Sequence, residues 1–163
     1  MSKPAKSPDM SRRWPFILAG AAGGAVAIGI MEYFAASSAF TLAMIPFATS
    51  IVLVMGSPAA EPAQPRALIG GHLVSALVGL LVLQVTGPEA WAAALAVGLA
   101  IIAMDLTDTF HPPAGINPLL IILNNLGWSY LVVPVAVGAL LLAIFAFVWH
   151  NATRRGHWPK RWL

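Results

Sequence analysis

"MDLTDTFHPPAGINPLL", residues 104–120, puts two acids, a histidine, three prolines and a glycine into a chain that is otherwise strongly apolar. The Pro112–Pro113 pair removes two backbone donors and holds His111 out of helical geometry, so a helix arriving from the N-terminal side ends near here. Asn117 followed by Pro118 is a restart signal, an N-cap with proline at the first helical position. The spacing predicts a short helix over Leu119–Leu126, closed by Asn124, Asn125 and Gly127. Eight residues rise only about 12 Å, under half of the roughly 30 Å apolar core of a bilayer. A broken loop followed by half a helix is tolerated at membrane depth only where protein or water satisfies the backbone. The stretch points to a helical membrane bundle folded around an irregular segment.

Composition agrees. Hydrophobic residues make up 59% of the chain and charged residues 9%, against roughly 25% charged in ordinary soluble domains. The net charge of +3 does not signal nucleic acid. Lys3, Lys6, Arg12 and Arg13 precede the first apolar run, and Arg154, Arg155, Lys160 and Arg161 follow the last. By the positive-inside rule both termini face the cytoplasm, with Trp14, Trp149 and Trp158 as interfacial anchors. Cysteine is absent, which excludes disulfides, thiolate metal sites and cysteine nucleophiles. The organisation expected is a disordered cytoplasmic N-terminus over 1–13, a membrane domain over 14–150, and a basic cytoplasmic C-terminus over 151–163. The first apolar run is too long for a cleavable signal, and the setting expected is a bacterial inner membrane.

Candidate spans follow one another along the chain. Pro15–Ala36 carries Gly20, Gly24, Ala25 and Gly29, a small-residue stripe that admits a close neighbour and suits a homo-oligomer. Ala39–Gly56 contains Pro46, which bends the helix beside Thr49 and Ser50. The polar break "GSPAAEPAQPR" (56–66) precedes Ala67–Thr86, where His72 and Ser75 share a face with Gly79 a turn further along. Ala90–Leu106 and Tyr130–Trp149 complete the set. Five full spans would separate the termini, whereas six elements, the fifth being the half-helix, bring both to one side. A four-span arrangement with re-entrant segments has the same parity. The breaks at 57–66 and 107–117 each end in a polar residue and proline, Gln64–Pro65 and Asn117–Pro118, as in a parallel repeat of helix, broken loop, helix. Transporters place substrate sites where such broken helices meet.

"TFHPPAGINPLL" (109–120), with "GSP" (56–58) and "QPRALIGGHLVSALVG" (64–79), resembles the HPP family of small integral membrane proteins, and the likeness spans about residues 14–150. The resemblance implies a multi-pass fold and, from plant plastid and cyanobacterial relatives, an association with nitrite transport. It marks His111, Pro112, Pro113, Ala114 and Gly115 as the signature, and Pro65, Arg66, Gly71 and His72 as a second block.

Residue chemistry points the same way. Arg66 starts a helix, where guanidinium and dipole both attract an anion, and the Gly115–Asn117 restart offers backbone N–H groups. The plain alternative for Arg66 is a snorkelling interfacial residue. Substrate contacts are therefore expected from Arg66, His72, His111, Pro112, Pro113, Gly115 and Asn117. Asp105 and Asp108, three apart at the end of the fourth expected helix, share a face, and His111 follows after another three residues. They suit a proton relay, an oxygen-and-imidazole metal site, or an ion pair to Arg66 across the two loops, the last favoured by the cost of unpaired buried charge. His72 serves equally as a hydrogen-bonded packing residue. Glu32 reads as an interfacial residue near the outer end of the first span, with lining an entrance as the alternative, and His150 and His157 read as surface residues.

Three functions compete: a transporter or channel for a small inorganic anion such as nitrite, an intramembrane metal-binding protein or enzyme using Asp105, Asp108 and His111, and a structural subunit. The first is preferred. No enzyme activity, resident metal or cofactor is required, and the partners expected are a small anion and the lipid bilayer.

Overall fold

The structure, a computed structural model, describes residues 10–36, 45–154 and 158–162. Among the described residues there are six α-helices and no strands: α1 Met10–Ala36, α2 Ile45–Gly56, α3 Pro65–Thr86, α4 Ala90–Leu106, α5 Ile116–Leu123 and α6 Val137–Arg154. A 3₁₀ turn, Glu61–Ala63, precedes α3; another, Pro112–Gly115, precedes α5; and a π-helical segment, Leu131–Ala136, leads into α6. Three segments, Arg13–Tyr33, Pro65–Thr86 and Leu131–Thr153, are long and apolar enough to cross a membrane. The helices α2 and α4 and the stretch Pro112–Leu123 are shorter and also apolar.

Helix α3 is the hub, packing on α4, α5, α6 and both irregular segments that follow α4 and α5. In a bilayer apolar burial does not by itself draw helices together, so close packing of small residues does much of that work. Gly71, Ser75 and Gly79 recur every four residues on α3, and all three are buried. A Cβ on Gly79 would lie 2.7 Å from Cα of Pro118, which is how α5 comes against α3 at backbone distance. Two apolar clusters flank this contact. One gathers Phe47, Ile51, Val54 and Leu68 with Ala139, Ala143 and Ala146 of α6. The other gathers Ala76 and Leu80 with Ala92, Ala93, Ala96 and Ile121.

The helix ends show how the breaks are made. After α4, Asp108 adopts φ 51°, its N–H reaching Asp105 O at 3.1 Å while Thr109 N–H reaches Met104 O at 2.8 Å. That is a Schellman stop with aspartate in the left-handed position glycine usually takes. Helix α5 stops the same way at Asn125, φ 48°, with Leu126 N–H on Ile121 O at 2.9 Å.

Several boundaries differ from the sequence reading. Residues 10–13, expected to be unstructured, continue α1, because each residue added to an existing helix gains a hydrogen bond without a new nucleus. The small face of α1 that is buried runs through Gly20, Gly23 and Ala27, whereas Ala25 and Gly29 are exposed. Asn117 is not an N-cap: the 3₁₀ turn over Pro112–Gly115 runs directly into α5 at Ile116, and Asn117 lies inside the helix. Prolines need no N–H partner in a first turn, so that turn can lead into the helix. The last run is broken near its start, Val133 being extended (φ −124°, ψ 115°) ahead of Pro134, as a residue before proline tends to be. Residues 39–44 of the second expected span and His157 lie outside the described residues.

Candidate functional site

The HPP loop is held against α3 by glycine. A Cβ on Gly70 would fall 2.5 Å from the Thr109 side chain, and one on Gly71 would fall 2.6 Å from both His111 Cβ and the Thr109 carbonyl. With no side chain in the way, His111 enters the bundle and becomes fully buried, as are Ser50, His72, Ser75 and Asn117. Phe47 stacks on the His72 ring at 4.6 Å between centroids, and the two imidazoles lie 5.1 Å apart.

These side chains form one hydrogen-bonded chain whose direction can be worked out. Ser75 Oγ donates to the Ala114 carbonyl. Its lone pairs therefore receive the Asn117 Nδ2 amide at 3.2 Å, which fixes the amide orientation. The same amide nitrogen lies 3.0 Å from Nδ1 of His72, so that ring nitrogen is the acceptor and Nε2 carries the hydrogen. Nε2–H of His72 then donates to Ser50 Oγ at 2.9 Å. At the other end His111 Nδ1 lies 2.6 Å from the Pro62 carbonyl, which has only lone pairs, so Nδ1 is the donor. The Nε2 atom of neutral His111 is left as an acceptor, and Ser50 Oγ–H donates to it at 2.9 Å. Every link has one donor and one acceptor, and both imidazoles are neutral in this arrangement.

Ser50 has a second acceptor available. The Pro46 carbonyl lies 3.0 Å from its Oγ and also takes the Thr49 hydroxyl at 3.1 Å. The orphan in the network is Asn117 Oδ1, buried without a hydrogen-bond partner.

Beyond Pro62 the site meets an open mouth. A cavity of about 270 Å³ is lined by Glu61, Pro62, Ala67, Asp105, Asp108 and Phe110. It adjoins one of about 250 Å³ that shares Glu61, Ala67 and Asp108 and adds Gln64, Arg66 and Arg161. Arg66 donates to the Thr107 carbonyl at 3.0 Å and stands 3.7 Å from Asp108 Oδ2. Both side chains are largely exposed, at 43% and 86%.

Two sets of residues named from the sequence are thus separated. His72, His111 and Asn117 meet in the interior, while Arg66, Asp105 and Asp108 line the mouth. Pro112 is exposed, and Pro113 and Gly115 are half-buried. The restart offers no open helix end for an anion, because the 3₁₀ turn already continues into α5. The three-residue spacing of Asp105, Asp108 and His111 does not produce a metal site: the helix ends at Leu106, the acids stay exposed and His111 turns inward. Among the described residues no three His, Cys, Asp or Glu side chains gather closely enough to hold a metal ion.

Other residues matter that the sequence reading passed over or misplaced. Ser50 links the histidines; its position four residues after Pro46 was the available signal. His150, expected at the surface, is fully buried with Nε2 3.0 Å from the Val54 carbonyl, since α6 continues to Arg154. Trp158, expected as an interfacial anchor, is 2% exposed and donates to Ala63 O at 3.1 Å. Gln64 clasps the turn from within, donating to Pro58 O and Ala60 O and accepting from the Lys160 N–H at 2.8 Å.

A family described as HPP, transmembrane region, matches residues 9–159. Two transmembrane proteins of Dictyostelium discoideum are also similar. One is 38% identical over 124 residues, covering 71% of this chain and 40% of its own length. The other is 33% identical over 148 residues, covering 85% of this chain and 52% of its own length. The chain therefore spans about half or less of these curated relatives. No solved structure matches it. The matched region takes in both irregular loops and every residue of the buried chain, and on that evidence the protein belongs to the HPP family.

Proposed function

We propose that the protein is a membrane transporter or channel for a small inorganic anion, nitrite first among the candidates, with its path where the 57–66 and 107–117 loops meet. The observation that carries this reading is the pair of fully buried imidazoles joined through one serine hydroxyl, next to a mouth that bears Arg66 and Arg161 among the carboxylates of Glu61, Asp105 and Asp108. Polar groups inside a membrane bundle are costly, and those present tend to mark ion or proton paths. A guanidinium at the mouth attracts and orients a planar oxyanion. Nitrite itself is favoured by the resemblance to nitrite-associated relatives. The basic ends support an orientation with both termini on the cytoplasmic side of a bacterial inner membrane, and the buried Gly20–Gly23–Ala27 face of α1 already packs within the chain. A homo-oligomer would therefore use the exposed face of α1.

The test is anion flux into proteoliposomes, with nitrite compared against nitrate, chloride and formate. Flux that falls at least tenfold in His111→Ala, and whose apparent affinity weakens in Arg66→Ala, supports the reading. No flux of any of the four anions through folded protein overturns it.

A further inference from the structure

We propose that Ser50, His72 and His111 form a binding site for one proton, which couples anion movement to proton movement, with the Ser50 hydroxyl as its switch. The coupling rests on the transport reading above; the proton site stands on the geometry alone.

In the neutral arrangement His111 Nε2 holds a lone pair that accepts from Ser50. When a hydronium proton forms an N–H bond there, water is released and no bond in the protein breaks. The new Nε2–H donates to Ser50 Oγ, which already accepts from His72 Nε2–H and has a lone pair for each. The serine hydrogen swings to the Pro46 carbonyl, 3.0 Å away. His111 Nδ1–H stays on Pro62 O. In both protonation states the ring nitrogens of His72 and His111 and the Ser50 hydroxyl are then all hydrogen-bonded with no heavy atom displaced.

His72 has no such freedom. A hydrogen on its Nδ1 would face the Asn117 amide N–H at 3.0 Å, donor against donor. The proton therefore belongs on His111. A second proton is opposed by the first, with the ring centroids 5.1 Å apart.

The charged and titratable surroundings fit this role. Helices α2 and α5 bring no charged side chain to the pair. From the 3₁₀ turn comes Glu61, from α4 and its stop Asp105 and Asp108, from α3 Arg66 and from the C-terminal tail Arg161, all at the mouth. His150 of α6 is engaged with Val54 O. The carboxylates concentrate protons in a cavity that is also lined by Pro62, whose carbonyl holds His111. The protonated pair is a buried cation, so an anion beside it lowers the cost of burying either charge. The substrate class that follows is a small monovalent anion that travels with a proton.

The test has two parts on the full chain in lipid. Nitrogen-15 NMR of histidine-labelled protein reads the tautomers directly. The expected result is Nδ1–H on His111 and Nε2–H on His72 near neutral pH, with a single proton entering the pair on acidification and appearing on His111. Ser50→Ala loses that shared transition, and Ser50→Thr, which keeps the hydroxyl, restores it. Two protons binding independently, or the opposite tautomers, overturn the proposal in the wild-type protein whatever the variants do. In proteoliposomes, an inward proton gradient should accelerate nitrite uptake several-fold in wild type, and the ratio of uptake with the gradient to uptake without it should fall towards one in Ser50→Ala whatever its absolute flux. Flux indifferent to the gradient overturns the coupling, whereas a correct NMR signature without flux of any anion removes the transport reading and leaves the proton site standing.

Discussion

Gly71 and His111 touch so closely that a single added methyl group would lie 2.6 Å from the histidine Cβ. The same methyl would press on the Thr109 carbonyl, also at 2.6 Å, so a side-chain rotation cannot relieve it. The HPP loop and the glycines of α3 are therefore one structural device: the loop supplies the imidazole, and α3 supplies the gap through which it enters.

Replacing Gly71 with alanine should force the loop off α3. Overpacking of this kind costs about 1–3 kcal/mol, and the Ser50–His111 hydrogen bond is the link expected to break first. Thermal unfolding in detergent should fall by several degrees, and the His111 NMR signal should move towards that of a solvent-exposed imidazole. Gly115→Ala is the matched control, since a Cβ there meets nothing within 4 Å. A Gly71→Ala protein with the wild-type His111 signal would count against the packing argument.

Asn117→Asp should reverse the tautomer of His72. A carboxylate at the position of the amide accepts from Nδ1–H instead of donating to it, and its charge favours an imidazolium beside it. The histidine pair should then hold its proton already at neutral pH, visible as one doubly protonated ring in the nitrogen-15 spectrum. Asn117→Leu removes the amide altogether, leaving the Ser75 hydroxyl and His72 Nδ1 without it; loss of stability of about 1–3 kcal/mol is expected for buried polar groups left unpaired.

Much of this architecture was legible in local grammar. Prolines at 65, 112 and 113 marked both irregular loops, and Asn124–Asn125 marked the stop of α5, which spans Ile116–Leu123 rather than the expected Leu119–Leu126 because the 3₁₀ turn starts it three residues earlier. Asn117 shows the limit of such reading. Asn–Pro is good N-cap chemistry, yet the 3₁₀ turn had already started the helix, so the side chain was free to bond His72. Ser50 was hidden for a different reason: its place four residues after Pro46 was the one local signal, and its meaning comes from residues 22 and 61 positions away. His150 was misplaced because hydropathy ends near Trp149 while the helix does not.

Asp108 is expected to be replaceable by glycine with little loss of stability. Its φ of 51° is a conformation that glycine adopts without strain, and its ion pair with Arg66 is long and exposed, the kind that contributes little. A β-branched residue there should be costly, because the left-handed conformation is strongly disfavoured for it. Unfolding midpoints should fall in the order Gly equal to or above Asp, then Val well below both. If Asp108→Gly lowers the stability as much as Asp108→Val, the carboxylate has a structural role beyond the helix stop.

The C-terminal tail should govern the order of the 57–64 loop. Trp158 seals the Ala63 carbonyl, Asn151 Nδ2 holds the Trp158 carbonyl at 2.7 Å, and Gln64 receives the Lys160 N–H. Pro62, one residue from Ala63, holds His111 through its carbonyl. Trp158→Ala removes a side chain that is nearly fully buried, a change that costs about 3–5 kcal/mol in a packed core. Hydrogen exchange over residues 58–64 should rise by an order of magnitude or more, while α4 and α5, which pack on α3 and on each other, stay protected. Because the Pro62 carbonyl fixes Nδ1 as the protonated nitrogen of His111, a loosened turn should also leave that ring as a mixture of tautomers. Rapid exchange in the loop with a single His111 tautomer would show instead that Pro62 is held by contacts independent of the tail.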